Sequence, residues 1–262
     1  MRSFSQGAFA PWTREAGSPH AANIKRAVVA NKVSASASLQ GMFEHLSALT
    51  DADLRNLQVT RDTTSLYGMF EGCASLESVS QAEPDKADVS GLVLPLSKAT
   101  PTGSAAFSEQ YLDTSGAASA MRMFAECASL GSVSLTGAFN GSGASLFQMF
   151  SGSFDGSGSS LALTHVGEGA RADLSELAAG TGLTELTLNG VGTGEAARLE
   201  RMAADAERLA AVTLEDVATG ASADGREMFS GAASGVSGAV AYTLTDVGCG
   251  GRGTVLGADL TA

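Results

Sequence analysis

The chain is built on one sequence word that recurs at a nearly fixed interval. Ser65–Ser80 reads SLYGMFEGCASLESVS and Ser119–Leu135 reads SAMRMFAECASLGSVSL, so both contain M-F-x-x-C-A-S-L-x-S-V-S. The methionine of this word, or of a weaker copy, stands at positions 42, 69, 123, 149, 202 and 228, in steps of 27, 54, 26, 53 and 26 residues. Such fixed-period similarity indicates stacked supersecondary units. The two double steps predict one hidden rung each, with Leu177 in one and a residue near Leu96 in the other.

The first half of each repeat has a helical period. In the second copy, the apolar residues are spaced i, i+3, i+4 and i+7, at Leu66, Met69, Phe70 and Cys73. This spacing predicts one apolar helical face. A favoured N-cap residue precedes the apolar run in most copies, at Ser38, Ser65, Ser119, Ser145, Asp173 and Asp224. We therefore expect a helix of about two turns in each repeat, ended by a glycine such as Gly72.

The second half of each repeat alternates apolar and hydroxyl residues. Examples are Val133-Ser134-Leu135, Leu186-Thr187-Leu188 and Val212-Thr213-Leu214. A period of two predicts strands with the apolar side chains facing inward and Ser or Thr facing outward. One strand and one short helix in every 26 residues predict parallel strands with helical crossovers, and hence an α/β solenoid.

The repeat pattern divides the chain into three parts. Residues 1–37 precede the first clear repeat and carry the single tryptophan, Trp12. We interpret them as an N-terminal cap, because a terminal repeat otherwise exposes a core face. Residues 38–244 are predicted to form about eight rungs, one of them degenerate at residues 81–118. Residues 245–262 are predicted to be a C-terminal half-rung or tail.

Composition restricts the partners and the redox chemistry. The formal net charge of −12 argues against nucleic acid and an anionic membrane surface as partners, because both would be repelled. No run of about 18 apolar residues predicts a membrane-spanning helix, and residues 1–20 lack the apolar centre of a signal peptide. Three cysteines are too few for a disulfide framework. We expect Cys73 and Cys127 to be free and buried, two rungs and about 10 Å apart, beyond disulfide reach.

Two segments resemble a known family. Met69–Leu76 and Met123–Leu130 closely match the 26-residue M-F-x-x-C-x-S-L-x-x-L-x-L repeat of the BspA-like leucine-rich repeats found in bacterial surface proteins. The resemblance covers most of the chain from about residue 10, although Leu174–Leu188 and Leu199–Leu214 lack both the Phe and the Cys. It implies a leucine-rich-repeat solenoid, display at the cell surface or secretion, and binding of host or matrix proteins or glycans.

One segment fits an enzyme. Gly192, Gly194 and Ala197 follow a predicted strand in a G-x-G-x-x-A pattern, and the segment Gly192–Asp216 ends on two acidic residues. This arrangement is typical of a dinucleotide-binding turn, in which glycines admit a pyrophosphate at a helix N-terminus. The competing interpretation is one more 26-residue period, because Thr136–Gly143 occupies the same place in an earlier repeat.

The best binding candidate is the outward column of the predicted strands, at Gln58, Ser80, Ser134, Thr187, Thr213 and Thr243. A solenoid brings such residues onto one shared surface, although Ser and Thr also simply suit exposed strand positions. The first hypothesis is therefore a non-catalytic adhesion module that binds protein or glycan without a cofactor, catalytic residue or metal. The alternatives are a nucleotide-dependent enzyme built on Gly192–Asp216 and a structural spacer in a larger surface protein.

Overall fold

Short parallel strands, stacked coil upon coil, form the framework of the computed structural model of this chain. The structure describes residues 10–13, 17–30, 33–35, 38–54, 56–59, 65–80, 104–108, 119–237 and 240–248. The predicted rung near Leu96 and the end of the chain after residue 248 lie outside these residues. The strands are β1 Arg26–Val28, β2 Val33–Ala35, β3 Asp51–Asp53, β4 Leu57–Val59, β5 Ser78–Ser80, β6 Ser104–Ser108, β7 Ser132–Thr136, β8 Ser160–Thr164, β9 Glu185–Asn189, β10 Ala211–Val217 and β11 Ala241–Val247.

These strands form three parallel sheets. The largest contains β6 to β11 in chain order, β1, β3 and β5 form a second, and β2 pairs with β4 in a third. The alternation seen in the sequence sets the orientation of the strands, because Val133, Leu135, Val212 and Leu214 are each at most 2% exposed. The predicted repeat solenoid with parallel strands is confirmed.

The predicted helix in each repeat is wrong, and so is the α/β class. Within the described residues the one helical element is the 3-10 turn Ala21–Asn23, and the fold is a parallel β-solenoid. The segments predicted as helices are tandem turns. In the first coil Gly41 and His45 adopt left-handed φ angles of 58° and 55°, and equivalent pairs four residues apart recur in the later coils.

Hydrogen bonding explains why turns replace the helix. In the first coil every second N–H group leaves its own segment: Phe43 N–H donates to Met69 O at 2.8 Å and His45 N–H to Glu71 O at 2.7 Å. The intervening Glu44 N–H donates three residues back, to Gly41 O. An isolated two-turn helix is marginal in water, whereas a ladder to the next coil satisfies half of these groups with tertiary partners. A helix and a series of tandem turns both bury apolar residues at i, i+3, i+4 and i+7. The periodicity of the sequence therefore could not distinguish the turns from a helix.

The residues predicted as helix N-caps have a different role. Together with Arg198, which was not predicted to be a cap, they form isolated parallel bridges from coil to coil, in the order Ser38, Ser65, Ser119, Ser145, Asp173, Arg198 and Asp224. Several still accept the N–H group two residues later, as Ser38 Oγ does from Gln40 at 3.1 Å and Asp173 Oδ1 from Ser175 at 3.1 Å. The side-chain hydrogen bond typical of an N-cap is therefore present, and it stabilises the start of a turn instead of the start of a helix.

The two double steps have different structural origins. Leu177 fills the predicted gap in the 53-residue step, since it accepts from Phe150 N–H at 2.8 Å and its coil lies between those of Ser145 and Arg198. The other gap contains no coil on the turn side, because Ser65 bridges directly to Ser119. On the strand side, β6 contacts β5 and pairs with β7. The 53-residue step therefore corresponds to two coils, whereas the 54-residue step corresponds to one coil with an insertion.

Stacked aromatic rings run along the core. Phe43, Phe70, Phe124 and Phe150 follow one another with ring centroids 5.1, 5.4 and 5.6 Å apart. Trp12 lies over Phe43 at 6.5 Å, and its Nε1–H donates to Met42 O at 2.7 Å. This carbonyl is equivalent to the ones that accept from the preceding coil elsewhere, so Trp12 covers both the rings and the backbone ladder at this end.

Among the residues that the structure describes, no helix has both the length and the apolarity that crossing a bilayer requires.

Candidate binding face of the sheet

The outward side of β7 to β11 carries an unbroken column of aligned residues. Register pairs join Ser134 to Ala162, Ala162 to Thr187, Thr187 to Thr213 and Thr213 to Thr243. Ser134, Thr213 and Thr243 are exposed, and the other two are half-buried. Neighbouring strands are about 4.8 Å apart, so the column is a regular row of mostly hydroxyl groups. Four of the six residues predicted for a binding face thus lie together.

The other two predicted residues lie elsewhere. Gln58 is on β4 opposite Ser34 of β2, and Ser80 is on β5 opposite Asp53 of β3. Neither strand belongs to the six-stranded sheet. The shared period in the sequence could not reveal this, because it counts residues along the chain and does not report which strands hydrogen-bond.

Two further columns flank the first and were not selected from the sequence. They contain every second residue of the same strands, which share a face because strand side chains alternate. The columns are Ser132, Ser160, Glu185, Ala211 and Ala241 on one side, and Thr136, Thr164, Asn189, Glu215 and Thr245 on the other. Their members contact each other from strand to strand, as in the 3.1 Å Ser160–Ser132 and 2.6 Å Asn189–Glu215 hydrogen bonds. The period of two along each strand was the sequence signal that could have identified these two columns.

The chemistry of this three-column face is hydroxyl, amide and carboxylate. The sequences of β7 to β11 contain no Lys, Arg, His or Cys. Glu185 and Glu215 are exposed and give the face a negative charge. Spacings of about 4.8 Å between strands and about 6.7 Å along them set the pattern of donors and acceptors. Such a face can hydrogen-bond repetitively to an extended partner, and its uncharged hydroxyls can donate as well as accept.

The segment Gly192–Asp216 has a structural explanation for its glycines. Gly192 takes a φ of 62°, and a Cβ on Gly194 would collide with the carbonyl oxygen of Gly169 in the preceding coil. Turns follow where the fingerprint predicts a helix, as far as the described range 119–237 shows. Within residues 119–237, no helix N-terminus therefore lies where the nucleotide hypothesis places the pyrophosphate.

A chain of polar side chains crosses the coils on the turn side. Arg122 contacts Glu71 in the preceding coil at 2.8 Å and Glu126 in its own coil at 3.1 Å. Its Nη1 donates to Gln148 at 3.0 Å, and Gln148 donates to Glu176 at 2.8 Å. The hydrogen bond to Glu71 raises the pKa of Arg122, so the guanidinium stays charged. These contacts join four consecutive coils.

The two core thiols are free and buried, as predicted, but their predicted separation is wrong. Cys73 and Cys127 belong to adjacent coils, since Ser65 bridges Ser119. Cys127 Sγ donates to Phe70 O at 3.2 Å. Burial raises the pKa of Cys73 to about 12 and that of Cys127 well above its usual range. Both are therefore protonated and unreactive near neutral pH, because the thiolate is the nucleophile.

Comparison with known proteins gives no relative. No family model, no curated protein and no solved structure matches this chain. The BspA-like resemblance accordingly remains a prediction that depends on the repeat word alone.

Proposed function

We propose that this chain is a non-catalytic adhesion protein that binds a protein or a glycan through the outward face of β7 to β11. The single observation that supports the proposal is the in-register column that runs from Ser134 to Thr243 across five strands. The three-column face needs no cofactor, because its donors and acceptors are side-chain hydroxyl, amide and carboxylate groups. The resemblance of Met69–Leu76 to bacterial surface repeats supports display outside the cell and a host or matrix partner.

The regular spacing favours an extended partner over a small one. A ligand with its own repeat, such as a glycan chain or an extended peptide, can form the same contact on several strands at once. Each hydrogen bond contributes a net of about 1 kcal/mol, so affinity would come from the number of strands engaged. The acidic residues Glu185 and Glu215 favour a neutral or cationic partner over an anionic one.

The test is a binding screen of the full chain against glycan and matrix-protein arrays. The variant carries Ser134→Lys and Thr213→Lys, which place two long cations at exposed positions of the column. Exposed substitutions of this kind change stability by about 0.5 kcal/mol or less, so the fold should persist, and circular dichroism checks it. Ser129→Lys, at an exposed position on the turn side, is the matched control.

Binding that the column variant loses and Ser129→Lys retains is the expected result. Equal binding by both variants would reject the sheet face. Absence of any partner on either array would favour the structural spacer. Calorimetry of the unmodified chain with NAD and ATP tests the enzyme alternative directly, because Gly194→Val would disrupt coil packing and could not serve as a specific probe.

A further inference from the structure

A cluster of metal-ligating side chains lies on the turn side of the first two coils, away from the sheet face. Glu44, His45 and Glu71 each offer one ligand atom, and these atoms all lie within 4.8 Å of one another. Glu71 is buried and the other two are half-buried. We propose that this cluster, named here the Glu-His-Glu site, binds one divalent transition-metal ion of the Zn²⁺ type. The proposal is independent of what the sheet face binds.

The donor set suits this class of cation. A mixture of one imidazole and two carboxylates is typical of zinc and related ions, whereas Ca²⁺ and Mg²⁺ prefer oxygen ligands alone. Bonds of about 2.0–2.2 Å place tetrahedral ligand atoms about 3.4 Å apart. Ligand atoms that already lie within 4.8 Å of one another need to close by at most about 1.4 Å, which side-chain rotation supplies.

Three glycines make room for the three ligands. A Cβ on Gly41 would lie 2.6 Å from Glu44 Oε2, and a Cβ on Gly68 would lie 3.0 Å from Glu71 Oε2. A Cβ on Gly72 would collide with the imidazole of His45. The three ligand side chains therefore pack directly against the backbone of these glycines, where any other residue would place a Cβ. In later coils, the position of Gly41 and Gly68 is filled by larger residues, namely Arg122, Gln148, Glu176, Arg201 and Glu227.

The carboxylates are also specific to this end of the solenoid. Glu44 and Glu71 occupy the same position in adjacent coils, where their like charges repel. At that position the later coils have Ala125, Ser151, Ala179, Ala204 and Ser230. A divalent cation between two stacked carboxylates turns repulsion into attraction. Both contacts of Arg122 with Glu71 go to Oε1, at 2.8 and 2.9 Å, so Oε2 is the oxygen of Glu71 that we assign as the ligand atom.

The first test is calorimetric titration of the full chain with zinc chloride at neutral pH, with magnesium chloride in parallel. We expect one Zn²⁺ per chain and much weaker binding of Mg²⁺. His45→Ala and Glu44→Gln should each lower the zinc affinity by at least about tenfold, as the loss of a metal-site residue typically does. His165→Ala is the control, because His165 is a histidine that likewise lies beside a carboxylate, Glu168, at 2.8 Å.

Zinc binding that His45→Ala leaves intact, or that His165→Ala abolishes, would overturn the proposal. So would the absence of binding at millimolar zinc, or equal affinities for Zn²⁺ and Mg²⁺. Circular dichroism of each variant separates loss of the site from loss of the fold.

A second test leaves all three ligands in place. Gly72 and Gly152 hold equivalent positions in their coils with φ angles of 70° and 67°. Alanine is equally strained at both, but its Cβ displaces His45 only at position 72, since at 152 the nearest atom is Glu126 Cγ at 3.8 Å. Gly72→Ala should weaken zinc binding and Gly152→Ala should not. Equal zinc affinities for the two variants would contradict the placement of the imidazole.

Discussion

Two groups of coils follow the same path with different cores. The first group begins at Ser38, Ser65, Ser119 and Ser145, and the second begins at Asp173 and Arg198. The first group, the aromatic coils, stacks a phenylalanine in every turn. In the second group, the alanine coils, Ala178 and Ala203 hold that position, and their N–H groups donate to the next coil as the phenylalanines do. Phe154, tilted by 44° against Phe150, ends the aromatic stack.

The backbone ladder therefore defines the coil, and the side chains only fill it. The left-handed pair recurs in the alanine coils at Glu176 with Gly180 and at Arg201 with Asp205. The strand register likewise continues without interruption from β7 to β11. We therefore expect aromatic truncation to lower stability without changing the path of the chain.

The largest effect should come from exchanging the two cores. Phe124 is fully buried between two rings, so Phe124→Ala should lower the free energy of unfolding by about 3–5 kcal/mol. The reciprocal Ala203→Phe should cost about 1–3 kcal/mol by overpacking a filled coil. Urea denaturation measures both. A loss below about 1 kcal/mol for Phe124→Ala would show that the stack does not hold the core together.

A smaller difference should separate two equivalent arginines. Arg122 and Arg201 are both left-handed and both face an acid four residues on. Arg122 is 25% exposed and its partner Glu71 12%, whereas Arg201 and Glu227 are 35% and 61% exposed. Arg122→Ala should cost about 2 kcal/mol by leaving a buried carboxylate unpaired. Arg201→Ala should cost less than about 1 kcal/mol. Equal losses would mean that burial does not distinguish these ion pairs.

The thiol of Cys73 should make the aromatic coils sensitive to alkali. Its pKa is 9.0 unperturbed and about 12 when folded, so above pH 9 the unfolded chain releases a proton that the folded chain keeps. The contribution is complete below pH 9 and declines as pH rises toward 12, by about 1.4 kcal/mol per pH unit. Cys73→Ala should flatten the alkaline decline. Thr181→Ala, at the equivalent position of an alanine coil, should leave it unchanged.

The smallest effect should come from a left-handed position that both groups share. Gly143 has a φ of 74° and open space around it, and Ser222 holds the equivalent position with a φ of 60°. Gly143→Ala should cost about 1 kcal/mol through backbone strain alone. Ser222→Gly should gain only a few tenths of that, because the relief of backbone strain is largely offset by the greater entropy that glycine loses on folding. Thermal denaturation resolves both, and stabilisation by Gly143→Ala would contradict the conformation.

Much of the fold followed from periodicity, and the errors have definite causes. The alternation of Val133-Ser134-Leu135 gave the strand and its inward face correctly, and the 53-residue step gave the coil of Leu177. The helix was wrong because Leu66, Met69, Phe70 and Cys73 are buried equally well by a helix and by tandem turns. Of the residues predicted for a binding face, Ser134 and Thr213 share a column that Gln58 does not join.

The spacing of apolar residues was enough to tell which residues face the core and how long one coil is, because burial of apolar side chains enforces a period along the chain. The three-dimensional structure was needed to show which coil lies against which, that Cys73 and Cys127 are in adjacent coils, and that alternate N–H groups leave their own segment. Those choices depend on hydrogen bonds between residues about 25 to 55 positions apart, and a local pattern of apolar residues carries no information about the partner of a backbone group.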